Sequence, residues 1–293
     1  MPGVAFVVNG SLVRSGGRLL TLCREAAARY GWAAEFLVTE KAEAGVSAAN
    51  SAALDGIDLV VAVGGDGTVR GCAEGLARTG VPFGIVPHGT ANLLARTLRI
   101  PRHPRAALAV ALQSGGVDRT IDLAVADDVP FSAMAGMGLD AAVVAGTKLK
   151  HQFGWLAYAM SGAVHLALPP TRFAIRLDDG VPIEREARSV VVGNSGLLPG
   201  GFNLLPDARI DDGLLDMGVL APRGPFGWTR LAGRVLAHSN HQDTMLERFQ
   251  ARKVEITTPS LLPREVDGEV VTAGHSLTVT VQPGALTVRM PRL

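Results

Sequence analysis

Three glycines, an aspartate and a threonine in the run Val63-Gly64-Gly65-Asp66-Gly67-Thr68 are the residues of this chain whose types and spacing best suit chemistry. They stand where an apolar strand-like run, IDLVVAVGG, hands over to a helical pattern, the place at which open α/β sheets bind ligands. Glycine permits positive φ and leaves no Cβ between backbone and ligand, and the free N–H groups that open the next helix donate to phosphate oxygens. Such a loop cradles phosphate. It is not a Walker A loop, because no G-x-x-x-x-G-K-[ST] occurs, and it is not the Rossmann G-x-G-x-x-G, because Arg70 occupies the last glycine's position. Taken alone, Gly-Gly-Asp-Gly reads equally as a tight turn. A second segment, Pro87-His88-Gly89-Thr90-Ala91-Asn92, again follows an apolar strand and opens a helix, with Thr90 placed to cap it and Asn92 to reach a sugar or phosphate. Two such loops at neighbouring strand ends form one cleft.

The carboxylates are the second source of chemistry, and each carries two readings. Asp66 beside a polyphosphate is repelled unless Mg²⁺ or water intervenes; otherwise it is a turn or capping residue. Val266-Asp267-Gly268-Glu269 is a short turn that exposes two carboxylates, or an ordinary Asp-Gly hairpin. Asp211-Asp212-Gly213 with Asp216 is an oxygen-rich loop suited to a hard cation, or a solvated acidic turn. No Walker lysine neutralises the phosphates; Arg18, Arg70 and Arg96 lie near helix starts and are candidates, each also readable as surface charge. His88, His151, His165, His238, His241 and His275 show no metal-ligand spacing. Ser195 sits in G-N-S-G, not the G-x-S-x-G of an esterase, so Asn194 and Gly200-Gly201 read as cleft wall.

The elements that must position these residues alternate β-like and helical runs up to about residue 113, the pattern of βαβ units and a mainly parallel sheet. Strands are expected at VAFVV, AEFLVT, IDLVVAVGG and PFGIVP, and helices at Gly17 to Tyr30, Val46 to Leu54, Thr68 to Arg78, from Thr90 and from Pro104. After Ser114-Gly115-Gly116 the texture becomes β-rich, with TIDLAVA, TRFAIRL, ARSVVVGN and LLDMGVL, and helical material at Val143 to Leu168 and Gly227 to Leu236. The tail adds KVEITT, SLTVTVQPG and ALTVRM. The chain therefore reads as an α/β nucleotide-binding domain over 1–116, to which about 285–293 returns, and a β-rich, sandwich-like domain over 117–284.

Composition narrows the function classes. The 293 residues are 47% hydrophobic and 19% charged, which excludes disorder. A formal net charge of +1 argues against nucleic-acid binding by bulk positive charge. Cys23 and Cys72 form no disulfide framework or zinc spacing, and the N-terminus has no basic region before its first apolar run. The longest apolar stretch, Phe153 to Leu168, is shorter than the roughly 20 residues of a spanning helix. A cytoplasmic location follows as the expectation.

On GGDGTV (64–69), PHGTANLLAR (87–96), GNSGLLPGGFNLLPDARIDDGLLDM (193–217) and EVDGEV (265–270), the chain resembles the diacylglycerol kinase catalytic-domain family, whose relatives include sphingosine and ceramide kinases. NAD kinases and phosphofructokinases share GGDG, but its combination in this order with GTANLLAR and a late DGE is specific. The resemblance implies an α/β nucleotide-binding domain followed by a β-sandwich-like lipid domain, and an ATP- and Mg²⁺-dependent transfer of phosphate to a lipid hydroxyl such as that of diacylglycerol. It implies that Asn9, Gly64, Gly65, Asp66, Gly67, Thr68, Gly89, Thr90, Asn92 and Glu269 contact nucleotide or its metal, with Asp66 and Asp267 in the transfer itself and Asp267 as general base. It also implies a structural Mg²⁺ held by the Asp212 side chain and the carbonyls of Arg209 and Leu214. Two positions depart from the family pattern: Gly10 replaces the proline after Asn9, and Leu93 replaces an aspartate after Asn92.

A lipid acceptor needs an apolar cleft, since burial contributes about 0.8 kcal/mol per CH₂. The stretch from Phe153 to Leu168 supplies apolar material, though a core helix looks the same, and Phe226 and Trp228 are the better candidates for transient contact at the inner membrane face. A homodimer is left open. The alternatives to a lipid kinase are an NAD kinase-like enzyme, which normally carries an Asn-Glu dipeptide that occurs nowhere here, and a catalytically inactive lipid- or nucleotide-binding protein.

Overall fold

The computed structural model describes residues 1–14, 17–40, 42–113, 116–131, 133–138, 170–196, 204–222, 227, 230, 231, 233, 245–267 and 269–292. The chain divides into two compact units, Met1–Leu123 with Gly284–Leu293, and Ala124–Pro283. The first unit extends beyond residue 116 because strand β5 (Val117–Ala126) starts inside it. Arg289 grips Asp118 at two points, 2.7 and 2.9 Å, and Asp122 accepts the Gly284 N–H at 2.8 Å.

In the first unit β1 (Gly3–Asn9), β2 (Ala33–Thr39), β3 (Leu59–Gly64) and β4 (Phe83–Pro87) pair in parallel in the order β4-β3-β1-β2. The last strand, β14 (Glu269–Met290), joins beside β4 with Val288 opposite Phe83. Residues 4–8 of β1 and 59–63 of β3 are fully buried, which is why they read as unbroken apolar runs and not as alternation. Helix α2 (Arg18–Tyr30) packs with α6 (Pro104–Leu112), and α3 (Ala42–Leu54) with α4 (Asp66–Leu76). Right-handed crossovers running in opposite directions from β1 put the two pairs on opposite faces. The direction of winding reverses between β1 and β3, and the crevice outside the carboxyl ends of those strands is where such sheets take ligands.

The second unit is antiparallel. β12 (Leu246–Ala251), β11 (Leu215–Leu220), β10 (Ser189–Gly193), β7 (Met134–Gly138) and β13 (Lys253–Val266) pair in that order. The first half of β13 pairs instead with β8 (Thr171–Leu177), which carries β9 (Ile183–Ala187). Register shifts between Thr257 and Arg264 let one strand change partners, a bulged corner that folds a sheet into a sandwich-like body. Phe131, Met137, Phe173, Ile175, Met217 and Ile256 fill its core.

Cys23 and Cys72 are both buried and free. Among the described residues no helix is long and apolar enough to cross a membrane. The expected helix from Val143 to Leu168, most of that from Gly227 to Leu236, Phe226, Trp228, His151, His165, His238, His241, Gly200, Gly201 and Gly268 lie outside the described residues.

Candidate active site

The four parallel strands end in Asn9, Thr39, Gly64 and Pro87, and the register pairs Asn9 with Thr39 and Gly64 with Pro87. Both glycine loops therefore leave the sheet side by side. The His88 N–H donates to the Gly64 carbonyl at 2.7 Å. A Cβ on Gly89 would lie 2.6 Å from the Gly65 Cα, so the loops touch backbone to backbone and only glycine fits. A Cβ on Gly64 would meet the Thr68 Oγ1 at 2.5 Å, because the buried Thr68 folds back over its own loop. Gly67 differs: a Cβ there would meet nothing within 4 Å. The first two positions need glycine to close the loops, and the third borders open space.

Asp66 locks this arrangement. The helix it opens starts at Asp66, not at Thr68 as expected, with Gly65 as its N-cap. Asp66 Oδ2 accepts the Asn92 N–H at 2.9 Å and Oδ1 accepts the Leu93 N–H at 2.7 Å. Both oxygens thus serve the first turn of α5 (Leu93–Thr97), where negative charge is favoured by the helix dipole and by charge-assisted bonding. The same bonds move the start of α5 from Thr90 to Leu93. Asn92 becomes its N-cap at φ 48°, while Thr90 is exposed and caps nothing. The Asn92 side chain turns back on its own loop, its Nδ2 donating to the Gly89 carbonyl at 2.6 Å, and its buried Oδ1 has no partner. That orientation differs from the outward reach toward a sugar or phosphate that the sequence suggested. Asn9 Oδ1 accepts from the N–H and the hydroxyl of Ser11 at 2.9 and 2.7 Å, so the turn before the short helix α1 (Gly10–Arg14) is closed without the family's proline. Thr39, buried at the end of β2, completes the row of strand ends; the terminal threonine of AEFLVT is its one signal in the sequence.

In the second unit Asp267 stands in the turn between β13 and β14, closed by the pairing of Val266 with Glu269. Its φ of 49° is the left-handed conformation that an aspartate of a two-residue hairpin adopts. The Asp267 N–H donates to the Met134 carbonyl at 2.8 Å. In return Oδ1 accepts from the N–H groups of Ala133 and Met134 at 2.8 and 3.2 Å, which fixes the carboxylate against β7. Glu269 is exposed on the next strand.

Asp212 Oδ1 accepts the Leu214 N–H at 3.0 Å across Gly213, whose φ is 74°. Arg209 leans on Asp211 at 3.5 Å. Asp216, at the start of β11, is buried, with Oδ1 accepting from Gln250 Nε2 at 3.1 Å and Oδ2 without a partner. Burial pushes its carboxyl up to about 6; the Gln250 bond pulls the other way, and the nearby charges of Asp212 and Asp207 push further up. An all-oxygen donor set with an orphaned buried carboxylate oxygen suits a hard cation. Among the described residues, however, no three or more His, Cys, Asp or Glu side chains are placed to share a metal ion, so a cation here would depend on backbone carbonyls such as those of Arg209 and Leu214.

Residues 4–126 match the diacylglycerol kinase catalytic domain, and residues 133–290 match the YegS C-terminal NAD kinase beta sandwich-like domain. A protein of Pseudomonas aeruginosa named "Probable lipid kinase YegS-like" is 36% identical, covering 80% of this chain and 78% of that one. A Bacillus subtilis protein named "Diacylglycerol kinase" is 31% identical, covering 76% of this chain and 74% of that one. A crystal structure of a "putative diacylglycerol kinase" from Bacillus anthracis shares the fold with a TM-score of 0.83 at 23% identity, over 98% of this chain and 95% of that one. Matched along both units, the chain belongs to the diacylglycerol kinase catalytic-domain family and is a lipid kinase, a transferase of phosphate.

Proposed function

We propose that the protein transfers the γ-phosphate of ATP, with Mg²⁺, to the hydroxyl of diacylglycerol or a related lipid, giving phosphatidic acid or its analogue. The observation that carries this reading is the pair of glycine loops held together at parallel strand ends by Asp66, whose carboxylate takes the Asn92 and Leu93 N–H groups, with Gly67 at the start of α4 bordering open space where a polyphosphate can approach the backbone. In the proposed step the lipid oxygen attacks the γ-phosphorus, its proton passes to the Asp267 carboxylate, and the bond to the β–γ bridging oxygen breaks to release ADP. Ala133 and Met134 hold that carboxylate in one orientation for the proton. Asp66 acts as a positioning residue, keeping the two loops at the spacing that receives the phosphates. Mg²⁺, when bound, supplies charge neutralisation; Arg209, Asp212 and Leu214 are the residues that would hold a structural ion. The lipid acceptor is met at a membrane surface.

Incubation with labelled ATP and a panel of lipids and NAD tests the reading. Label on a lipid is expected, and the most heavily labelled member names the acceptor. Label on NAD alone, or on no acceptor beside an active control, overturns it.

A further inference from the structure

We infer that the free edge of β2 is the surface through which two copies of this chain join, strand against strand about a two-fold axis, an inference independent of the kinase reading. Among the described residues β2, β6 (Val129–Phe131), β9 and β12 are the strands with a neighbour on one side only. Such an edge presents unpaired N–H and C=O groups and adds a strand from another chain unless charge, proline, shortness or a bulge blunts it.

The edges of the second unit are blunted. β9 carries Glu184, Arg185 and Glu186 in a row, β12 carries Glu247 and Arg248, and β6 is three residues long with Pro130 at its centre. β2, with the sequence AAEFLVT, has none of these devices. It holds no proline and no basic residue, its one charge is Glu35, and its register against β1 runs unbroken from Gly3 with Ala33 to Asn9 with Thr39. Ala33, Ala34 and Glu35 are exposed, and Val38, near the far end of the strand, keeps 54% of its surface in solvent. The contrast marks β2 as an edge kept open for pairing.

Charge selects a second copy as the occupant and sets the register. In an antiparallel pair, residues directly opposite share a face of the sheet, so a two-fold axis must fall between two copies of one residue. Between two Glu35 residues it would set carboxylates face to face, which is destabilising. Between two Phe36 residues it would bring two guanidinium groups together, because Arg24 of α2 lies over the Phe36 ring at 4.9 Å. A centre at Leu37 avoids both conflicts. Leu37 then meets the partner's Leu37, Phe36 meets the partner's Val38, and Ala34 meets the partner's Glu40. Ala34 and Phe36 share the α2 face, so the partner's Glu40 comes beside Arg24, and symmetry makes that opposite-charge contact twice. Glu40 is available at the surface, in an exposed ion pair with Arg14 at 2.9 Å. Phe36 is already stacked on Phe6 at 5.1 Å, so its pairing with the partner's Val38 extends an existing apolar row.

Sedimentation equilibrium of the full chain over a concentration series tests this. The expected species has twice the 30.5 kDa chain mass. Val38→Lys is expected to raise the dimer dissociation constant at least about tenfold at native melting temperature, whereas Val181→Lys, at a position 87% exposed in the second unit, should leave it unchanged. Arg24→Glu and Glu40→Arg should each weaken association about fivefold, since each breaks the contact twice, and the two together should restore it. A wild type that stays monomeric throughout overturns the proposal, and so does native association in Val38→Lys. Equal weakening by Val181→Lys also overturns it, because general loss of apolar surface would then be the cause. A combined charge swap that fails to restore association overturns the register centred on Leu37.

Discussion

Asp66 in the first unit and Asp267 in the second each hold two consecutive backbone N–H groups, yet they do so in different ways. Asp66 gives one oxygen to each donor, Asn92 and Leu93. Asp267 receives the Ala133 and Met134 N–H groups on one oxygen, Oδ1. One carboxylate ties two loops of the first unit together; the other is tied to the backbone at the start of β7, beside its own hairpin. The same residue type thus anchors a helix start in one unit and a strand start in the other, and the general-base role proposed for Asp267 is what the variants below test.

Breaking this contrast should have its largest effect at Asp267. Asp267→Asn keeps an acceptor oxygen for Ala133 but cannot take a proton, so turnover should fall about 10²–10⁴-fold while ATP affinity and melting temperature stay native. Single-turnover transfer measured beside calorimetric binding checks both halves, and native turnover would remove the general-base role.

The corresponding change at Asp66 should act on structure. Asp66→Ala leaves the N–H groups of Asn92 and Leu93 without their charged acceptor, at a cost of about 1.5–3 kcal/mol, read as a lower urea midpoint together with weaker ATP binding. Gly89→Ala forces a methyl against the Gly65 backbone and should cost about 1–3 kcal/mol, whereas Gly67→Ala, facing open space, should leave the urea midpoint almost unchanged. Equal stability of the two glycine variants would show that the loops do not depend on that contact.

The smallest effect is a pH dependence confined to the second unit. Asp216 has its carboxyl raised to about 6 in the fold, above the ordinary carboxylate value of 3.8. The unfolded chain releases this proton first, so the stability it contributes is full below pH 3.8 and is lost as pH rises through about 6. In EDTA, Asp216→Asn should therefore raise the melting temperature at pH 8 and leave it unchanged at pH 3.5. A difference that grows toward acid would reverse the sign of this account.

Much of the site could be read before any coordinates. The loop at 64–68 alone reads equally as a tight turn; it was the second loop at 87–92 after another buried strand, and the order of four segments, that made the pair and the family legible. Helix starts were harder. The sequence placed them at Thr68 and Thr90, but α4 starts at Asp66 behind Gly65, and α5 starts after Asn92, where the Asp66 carboxylate one loop away accepts the first N–H groups. Asn92, polar and loop-borne, looked outward; its own loop's carbonyl claimed its amide.

The sequence by itself determined the two-part architecture, the parallel and antiparallel textures and the phosphate chemistry, since periodicity, glycine placement and turn residues are local properties of the chain. Only the tertiary structure decided that Gly65 and Gly89 touch, that Asp66 ties the two loops together and that Asp216 is buried. Each of these depends on atoms brought together from distant parts of the chain or from different elements, and sequence spacing carries no record of which backbone N–H a carboxylate will meet.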